Sequence, residues 1–293
     1  MTGLTRREWM AVTAATVAGG LVAPDWLSGS VSAVSRMKFG LVNYLWGQDW
    51  DIPTLIANCA ASGLAGVELR TQHAHGVEPH LSKAERAEVR KRFEDSSIVL
   101  VGLGTNEEYD DPDPAVVKQR IETTKAYLQL SADVGGSGVK VKPNDFHEGV
   151  PREKTIEQIG KSLNEVGAFG ADLGQEIRLE VHGKCAELPT IKAIMDVADH
   201  PNVGVCWNSN DEDLLGAGLE HNFNLVKDRL AATTHVRELN IGSYPYADLI
   251  RLLAGVDYDG WVLLEARTKP EDRIAALIEQ REVFERLVGA ALA

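Results

Sequence analysis

The chain has 293 residues, 44% of them hydrophobic and 25% charged, an ordinary globular composition with enough length for one large core. Its formal net charge of −13 repels phosphate backbones and argues against nucleic acid as a partner. No stretch is long and apolar enough for a membrane span, and the three cysteines, Cys59, Cys185 and Cys206, give no disulfide framework.

The first residues read differently from the rest. Arg6 and Arg7 precede a weakly apolar run, Ala11 to Ala23, and Val31-Ser32-Ala33 has the small-residue form of a cleavage site. In that order these features make a twin-arginine export signal over 1–33. The mature chain, 34–293, is then expected in the periplasm or another extracytoplasmic compartment, free of the membrane once the signal is cleaved. It reads as a single domain, with no linker, repeat or low-complexity segment.

Short β-like runs alternate with helical ones along it. Strands are predicted at 38–42, 66–70, 97–102, 139–142, 177–182, 202–207, 232–237 and 260–265. Helices are predicted at 51–62, 83–95, from the Asp-Pro punctuation at 110–114 to about 133, and at 152–173. Further helices follow at 189–199, about 221–229, 246–254 and roughly 271–291. Eight strands, each followed by a helix, over about 255 residues match an α/β fold of the (β/α)8 TIM-barrel kind. A doubly wound sheet would bring a Gly-rich first turn for a nucleotide, and none follows the first strand.

The stretch RLEVHG, Arg178 to Gly183, organises the polar residues. A period of two puts Glu180 and His182 on one face. Three later strand ends carry Asn208, His235 and Glu265, and all four strands would converge on the C-terminal face of a barrel. Other polar residues fall at strand ends too: Asn43 and Trp46, then Glu68, Arg70, His73 and His75, then Asn106 and Glu107. Lys140 and Lys142 share one face of the fourth strand; Arg237 and Arg267 follow His235 and Glu265 by two. Charges ending interior strands are costly unless paired or bound to a ligand, so this concentration points to a site, with an ion-pair network as the structural alternative.

These segments resemble the xylose-isomerase-like barrel superfamily of sugar isomerases and epimerases, which also includes endonuclease IV relatives. The resemblance covers about 38–288 and rests on GVEL at 66–69, RLEVH at 178–182, VGVCWN at 203–208, THVREL at 234–239 and GWVLLE at 260–265. It implies that Glu180, Asn208, His235 and Glu265 bind one divalent ion, Mn, Mg, Co or Zn. Such an ion polarises a sugar carbonyl, while Glu180 and Glu265 remove and return a proton. The outcome is isomerisation, epimerisation or, with a leaving group β to the carbonyl, elimination. Asn208 departs from the pattern, since the family has an acid there; the amide coordinates through its oxygen but adds no charge.

Beyond the ligand set, Lys142 and His182 are candidates for acid–base work, with a Lys142–Glu180 salt bridge as the structural reading. Asn43, Trp46, His73, Arg237 and Arg267 are candidate substrate contacts. A small-molecule carbohydrate is the expected partner, and the resemblance implies a homo-oligomer. Two other readings stand beside the metal-assisted enzyme: a metal-independent keto-sugar lyase, and a non-catalytic periplasmic sugar-binding protein with a decayed site.

Overall fold

Alternation along each β-like run decides the architecture, because one face must enter a closed barrel while the other meets helices. In a computed structural model of the chain, residues 35–293 are described, and the export-signal reading of 1–33 lies outside them. The strands are β1 (Lys38–Val42), β2 (Gly66–Arg70), β3 (Val99–Glu108), β4 (Gly138–Lys142), β5 (Glu176–Glu180), β6 (Val203–Cys206), β7 (Thr233–Val236) and β8 (Trp261–Leu264). The helices are α1 (Ile52–Ser62), α2 (Lys83–Glu94), α3 (Pro114–Val134), α4 (Arg152–Asp172), α5 (Leu188–Val197), α6 (Leu219–Val226), α7 (Tyr246–Gly255) and α8 (Arg273–Ala291). All ladders are parallel, in the order β6-β5-β4-β3-β2-β1-β8-β7.

Closure between β6 and β7 is made by single bridges, Val205 with Leu230 and Asn208 with His235. The Ala231 and His235 amides donate to the Val205 and Trp207 carbonyls at 2.8 and 2.6 Å, and the Ser209 amide donates to His235 O at 3.1 Å. The sheet is therefore a nearly closed (β/α)8 barrel, as the element count predicts. Outward residues such as Leu41, Leu69, Val139, Leu179 and Leu264 are fully buried in the main apolar core against the helices.

The inward face is largely polar. Near the N-terminal ends of the strands, Arg178 is completely buried and donates to Glu176 at 2.8 Å, to Ser137 Oγ at 2.7 Å and to the Val101 carbonyl at 3.3 Å. Glycines make room for it: a β-carbon on Gly102 or Gly138 would lie 2.9 Å from the guanidinium. Glu176 also accepts from the Ala232 amide at 3.0 Å, bracing the β6–β7 seam from below.

The largest departures from the expected boundaries are in two elements. β3 runs ten residues, to Glu108, where the strand was expected to stop at 102. Two glycines and the polar run Thr105–Glu108 read as loop, yet Thr105 Oγ1 donates to the Lys140 carbonyl at 2.7 Å and Glu108 pairs with Lys142. The sixth helix starts at Leu219, after a 3-10 turn at Asp211–Leu214, and ends in another at Lys227–Arg229.

Candidate active site

Glu180 ends β5 facing into the barrel, and both its oxygens are engaged. Lys140 Nζ donates to Oε2 at 2.6 Å and Asn208 Nδ2 to Oε1 at 3.0 Å. Lys140 and Glu180 are 1% and 2% exposed, so this is an ion pair out of water. His235, on β7, sits between two carboxylates: Nδ1 is 3.6 Å from Glu180 Oε1, and Nε2 is 3.2 Å from Glu68 Oε1. The first is too long for a hydrogen bond and the second is not aligned as one. Both imidazole nitrogens, both Glu68 oxygens and Asn208 Oδ1 are buried without a hydrogen-bond partner. Glu265, one residue past β8, completes the group. One ligand atom each from Glu180, His235 and Glu265 lies within 4.8 Å of the others.

Burial opposes charge on all these groups, and their neighbours decide the outcome. On Glu180 the Lys140 ammonium, with His235, outweighs burial and holds the carboxyl well below the usual range. Glu68 is also lowered, its burial outweighed by His235 and then Lys140. Glu265 lacks such a partner, and burial together with the charge on Glu180 raises its pKa. Around His235 burial is outweighed by Cys206, Glu68 and Glu180, which hold its pKa well above the ordinary value. The cluster thus sets three carboxyls against one fixed cation, Lys140. Glu265 and His235 are the members whose protonated forms it favours.

Over this floor lies a cavity of about 450 Å³. Tyr44 and Leu45 form one wall, and Arg70, Lys142, His182 and Arg267 supply the rest around Lys140, Glu180 and Glu265. Of the candidates from sequence, Glu180, Glu265, Lys142, His182 and Arg267 line this cavity; His235 and Asn208 lie beside it, within contact of Glu180. The salt bridge to Glu180 is made by Lys140, not Lys142. Lys142 donates instead to Asn106 Oδ1 at 2.8 Å, and burial and the nearby Lys140 pull its pKa down. His182 is half-buried, its Nδ1 unpartnered and its pKa lowered by burial.

Four candidates serve as braces outside the cavity lining. Asn43 is fully buried; its Oδ1 accepts from the Arg70 amide at 2.6 Å. Trp46 donates from Nε1 to the Thr268 carbonyl at 2.9 Å, tying the loop after β1 to the loop after β8. His73 Nδ1 lies 3.0 Å from the Asn43 carbonyl. Arg237 donates to Asn210 Oδ1 at 3.1 Å. His75 uses both nitrogens on backbone, at Arg70 O and Val77 N. Asp213, in the turn after β6, accepts from Tyr244 Oη at 2.6 Å and is pushed up to about 7 by burial. Glu68, Lys140 and Arg70 carry more of the site than sequence reasoning assigned. The signal for each was its place on the inward parity of β2 or β4.

The donor set fits a divalent ion. Two carboxyls, one imidazole and an unpartnered amide oxygen are ligands of a hard or borderline cation, and a doubly charged ion balances three carboxylates less Lys140. Glu180 is the constrained member, because Lys140 and Asn208 already hold its oxygens.

Comparison with known proteins agrees with the architecture. Solved structures of similar fold include the 3-keto-D-glucoside 4-epimerase YcjR from E. coli, at 16% identity and TM-score 0.72, covering 85% of this chain and 99% of that one. An L-ribulose 3-epimerase matches at 15% identity and TM-score 0.74, over 87% and 95% of the two chains. The IOLI protein, solved with a bound zinc atom, matches at 15% and 0.73, over 87% and 99%. No curated protein matches the chain by sequence. The family model described as xylose isomerase-like TIM barrel matches residues 56–287, and the chain belongs to that family.

Proposed function

We propose that this protein is a sugar isomerase or epimerase that moves a proton at the carbon next to the carbonyl of a keto-sugar, with one divalent ion at Glu180, His235 and Glu265. The observation that carries this reading is the convergence of those three buried ligand atoms within 4.8 Å of one another beside a cavity of sugar size. The names of the structural neighbours, epimerases of a 3-keto-glucoside and of ribulose, support the substrate class. The bound ion would supply Lewis acidity at the carbonyl oxygen. The chain's own groups handle the proton. Glu180, kept ionised by Lys140, is suited to accept it, and Glu265, which protonates more readily than an ordinary carboxyl, to return one. Lys140 keeps Glu180 in place and charged.

One observation favours a second reading. With Lys140 and the Asn208 amide on both oxygens of Glu180, a fixed cation already stands where carboxylate charge needs balancing. On that reading Lys140 and the glutamates work without metal.

Solvent exchange separates the two. D-fructose incubated in D2O with enzyme and Mn²⁺ is expected to take up deuterium next to its carbonyl, read by NMR. Glu265→Gln and Glu180→Gln should each slow uptake by roughly 10²–10⁴-fold. Uptake indifferent to chelation would favour the metal-free reading, and uptake indifferent to both substitutions would sink both readings.

The export reading belongs to the same proposal: an enzyme carried out of the cytoplasm by Arg6 and Arg7 and cleaved after Ala33. N-terminal sequencing of the periplasmic protein should find Val34 first, and Arg6→Lys with Arg7→Lys should leave the precursor inside. Uncleaved protein in the cytoplasm of the parent strain would dismiss it.

A further inference from the structure

We infer that the substrate of this site carries an anionic group, a carboxylate or a phosphate, seated at the cavity mouth by Lys142, Arg70 and Arg267. The inference rests on the proton-transfer reading only in placing a sugar over Glu180 and Glu265; the anion seat stands on separate residues.

Lys142 and Arg70 lie one inward step beyond Lys140 and Glu68 on their strands, about 6–7 Å nearer the mouth. Both cations are at least half-buried, and both turn to the same neutral atom. Lys142 Nζ donates to Asn106 Oδ1 at 2.8 Å, and the Arg70 guanidinium donates to that oxygen and, at 3.3 Å, to the Gly104 carbonyl. Arg267 faces the same cavity. Among the described residues, no carboxylate lies within 4.0 Å of the charged group of any of the three, although Lys125, Lys161 and Lys192 on the outer helices all have one; Glu238 meets Arg267 only at its backbone amide, at 3.0 Å. Glu180 and Glu108 are near enough to favour charge on Lys142 but do not reach it.

Half-buried cations without a counter-charge are costly. Here two of them, Lys142 and Arg70, border one cavity together with the exposed Arg267, in a chain with 43 acidic residues and net charge −13, so paired alternatives were abundant. A neutral hexose would leave them uncompensated. A carboxylate or phosphate would meet two guanidinium forks and an ammonium, the arrangement that binds oxyanions best. Tyr44 and Leu45 offer the apolar wall for the sugar carbons.

The test is equilibrium binding by calorimetry, with D-fructose, D-fructuronate and D-fructose 6-phosphate as probes of one skeleton. Inorganic phosphate and acetate serve as bare anions. At least one anionic ketose should bind tenfold or more tighter than D-fructose, and the tighter of the two names the group. Lys142→Gln and Arg267→Gln should each remove most of that advantage, and Lys142→Arg should restore it. D-fructose binding as well as both anionic ketoses overturns the anion seat and leaves the ketose reading in place. A variant that weakens all three ketoses equally also overturns it. Saturable binding of phosphate or acetate, lost in Lys142→Gln, upholds the seat even where no ketose binds, and then the ketose reading falls instead. Binding of none of the five probes overturns it.

Discussion

The Lys140–Glu180 contact governs the site at the level of single residues. A buried ion pair broken from one side leaves the other charge stranded, at a cost of about 3–5 kcal/mol. Lys140→Met should therefore lower unfolding stability by that order in urea denaturation, and the Lys140→Met, Glu180→Gln double variant should recover part of the loss. An unchanged midpoint in Lys140→Met would show the pair to be solvated. Parity along β4 put both lysines inside the barrel, and sequence could say no more than that. Which of them meets Glu180 depends on how the barrel staggers β4 against β5, where Lys140 registers with Arg178. Asn43, Trp46 and His73 were legible as residues following strands, but no period fixes where a loop side chain points, and the chain uses all three on backbone.

The same cluster sets a pH dependence. Glu265 and His235 have folded pKa values above their ordinary 4.5 and 6.5, so at these two groups the folded metal-free protein holds protons to higher pH than the unfolded chain does. Their contribution is greatest in acid and is lost as pH rises through the folded values. Glu180 and Glu68, lowered, contribute the opposite way, and their stabilisation is lost as pH falls below 4.5. An ion bound there competes with protons at Glu265 and His235. Affinity for Mn²⁺ should thus rise with pH, and calorimetry in buffers of different ionisation enthalpy should show protons released on binding. Binding without proton release would place the ion elsewhere.

Among the elements, β3 and the β6–β7 seam matter most. β3 ran past its expected end because a strand can carry polar residues wherever a neighbour's backbone still pairs with it. That extension delivers Asn106 to Lys142 and Arg70. Gly104, on the same strand, leaves space for Glu68: a β-carbon there would lie 2.7 Å from Oε1. Gly104→Ala should push Glu68 from His235, and proton-exchange activity should fall more than stability does. The seam is held from below by Glu176, far along the strand from the cavity. Glu176→Ala leaves Arg178 buried and unpaired and should destabilise the fold by about 3–5 kcal/mol, while folded molecules keep their activity. A loss of turnover per folded molecule larger than the loss of stability would tie the floor of the barrel to its chemistry.

At the scale of the molecule, the barrel was legible because eight alternating runs, each followed by an amphipathic one, admit few other closures. The residues Glu180, His235 and Glu265 were legible for the same reason, since each closes a strand at the same face. The mouth was less so: Arg70, Asn106 and Lys142 come from three elements whose meeting depends on strand stagger. The claim on which the proposed metal-assisted proton transfer depends is that this polar interior holds a divalent ion. Elemental analysis of the purified protein, before and after chelation, beside Glu180→Gln and Asn208→Asp, tests it most directly. About one Mn, Co or Zn per chain in the parent, lost in Glu180→Gln and held more tightly in Asn208→Asp, is the expected result. A parent with no metal that gains it only in Asn208→Asp would contradict it and leave Lys140 as the cation that balances Glu180.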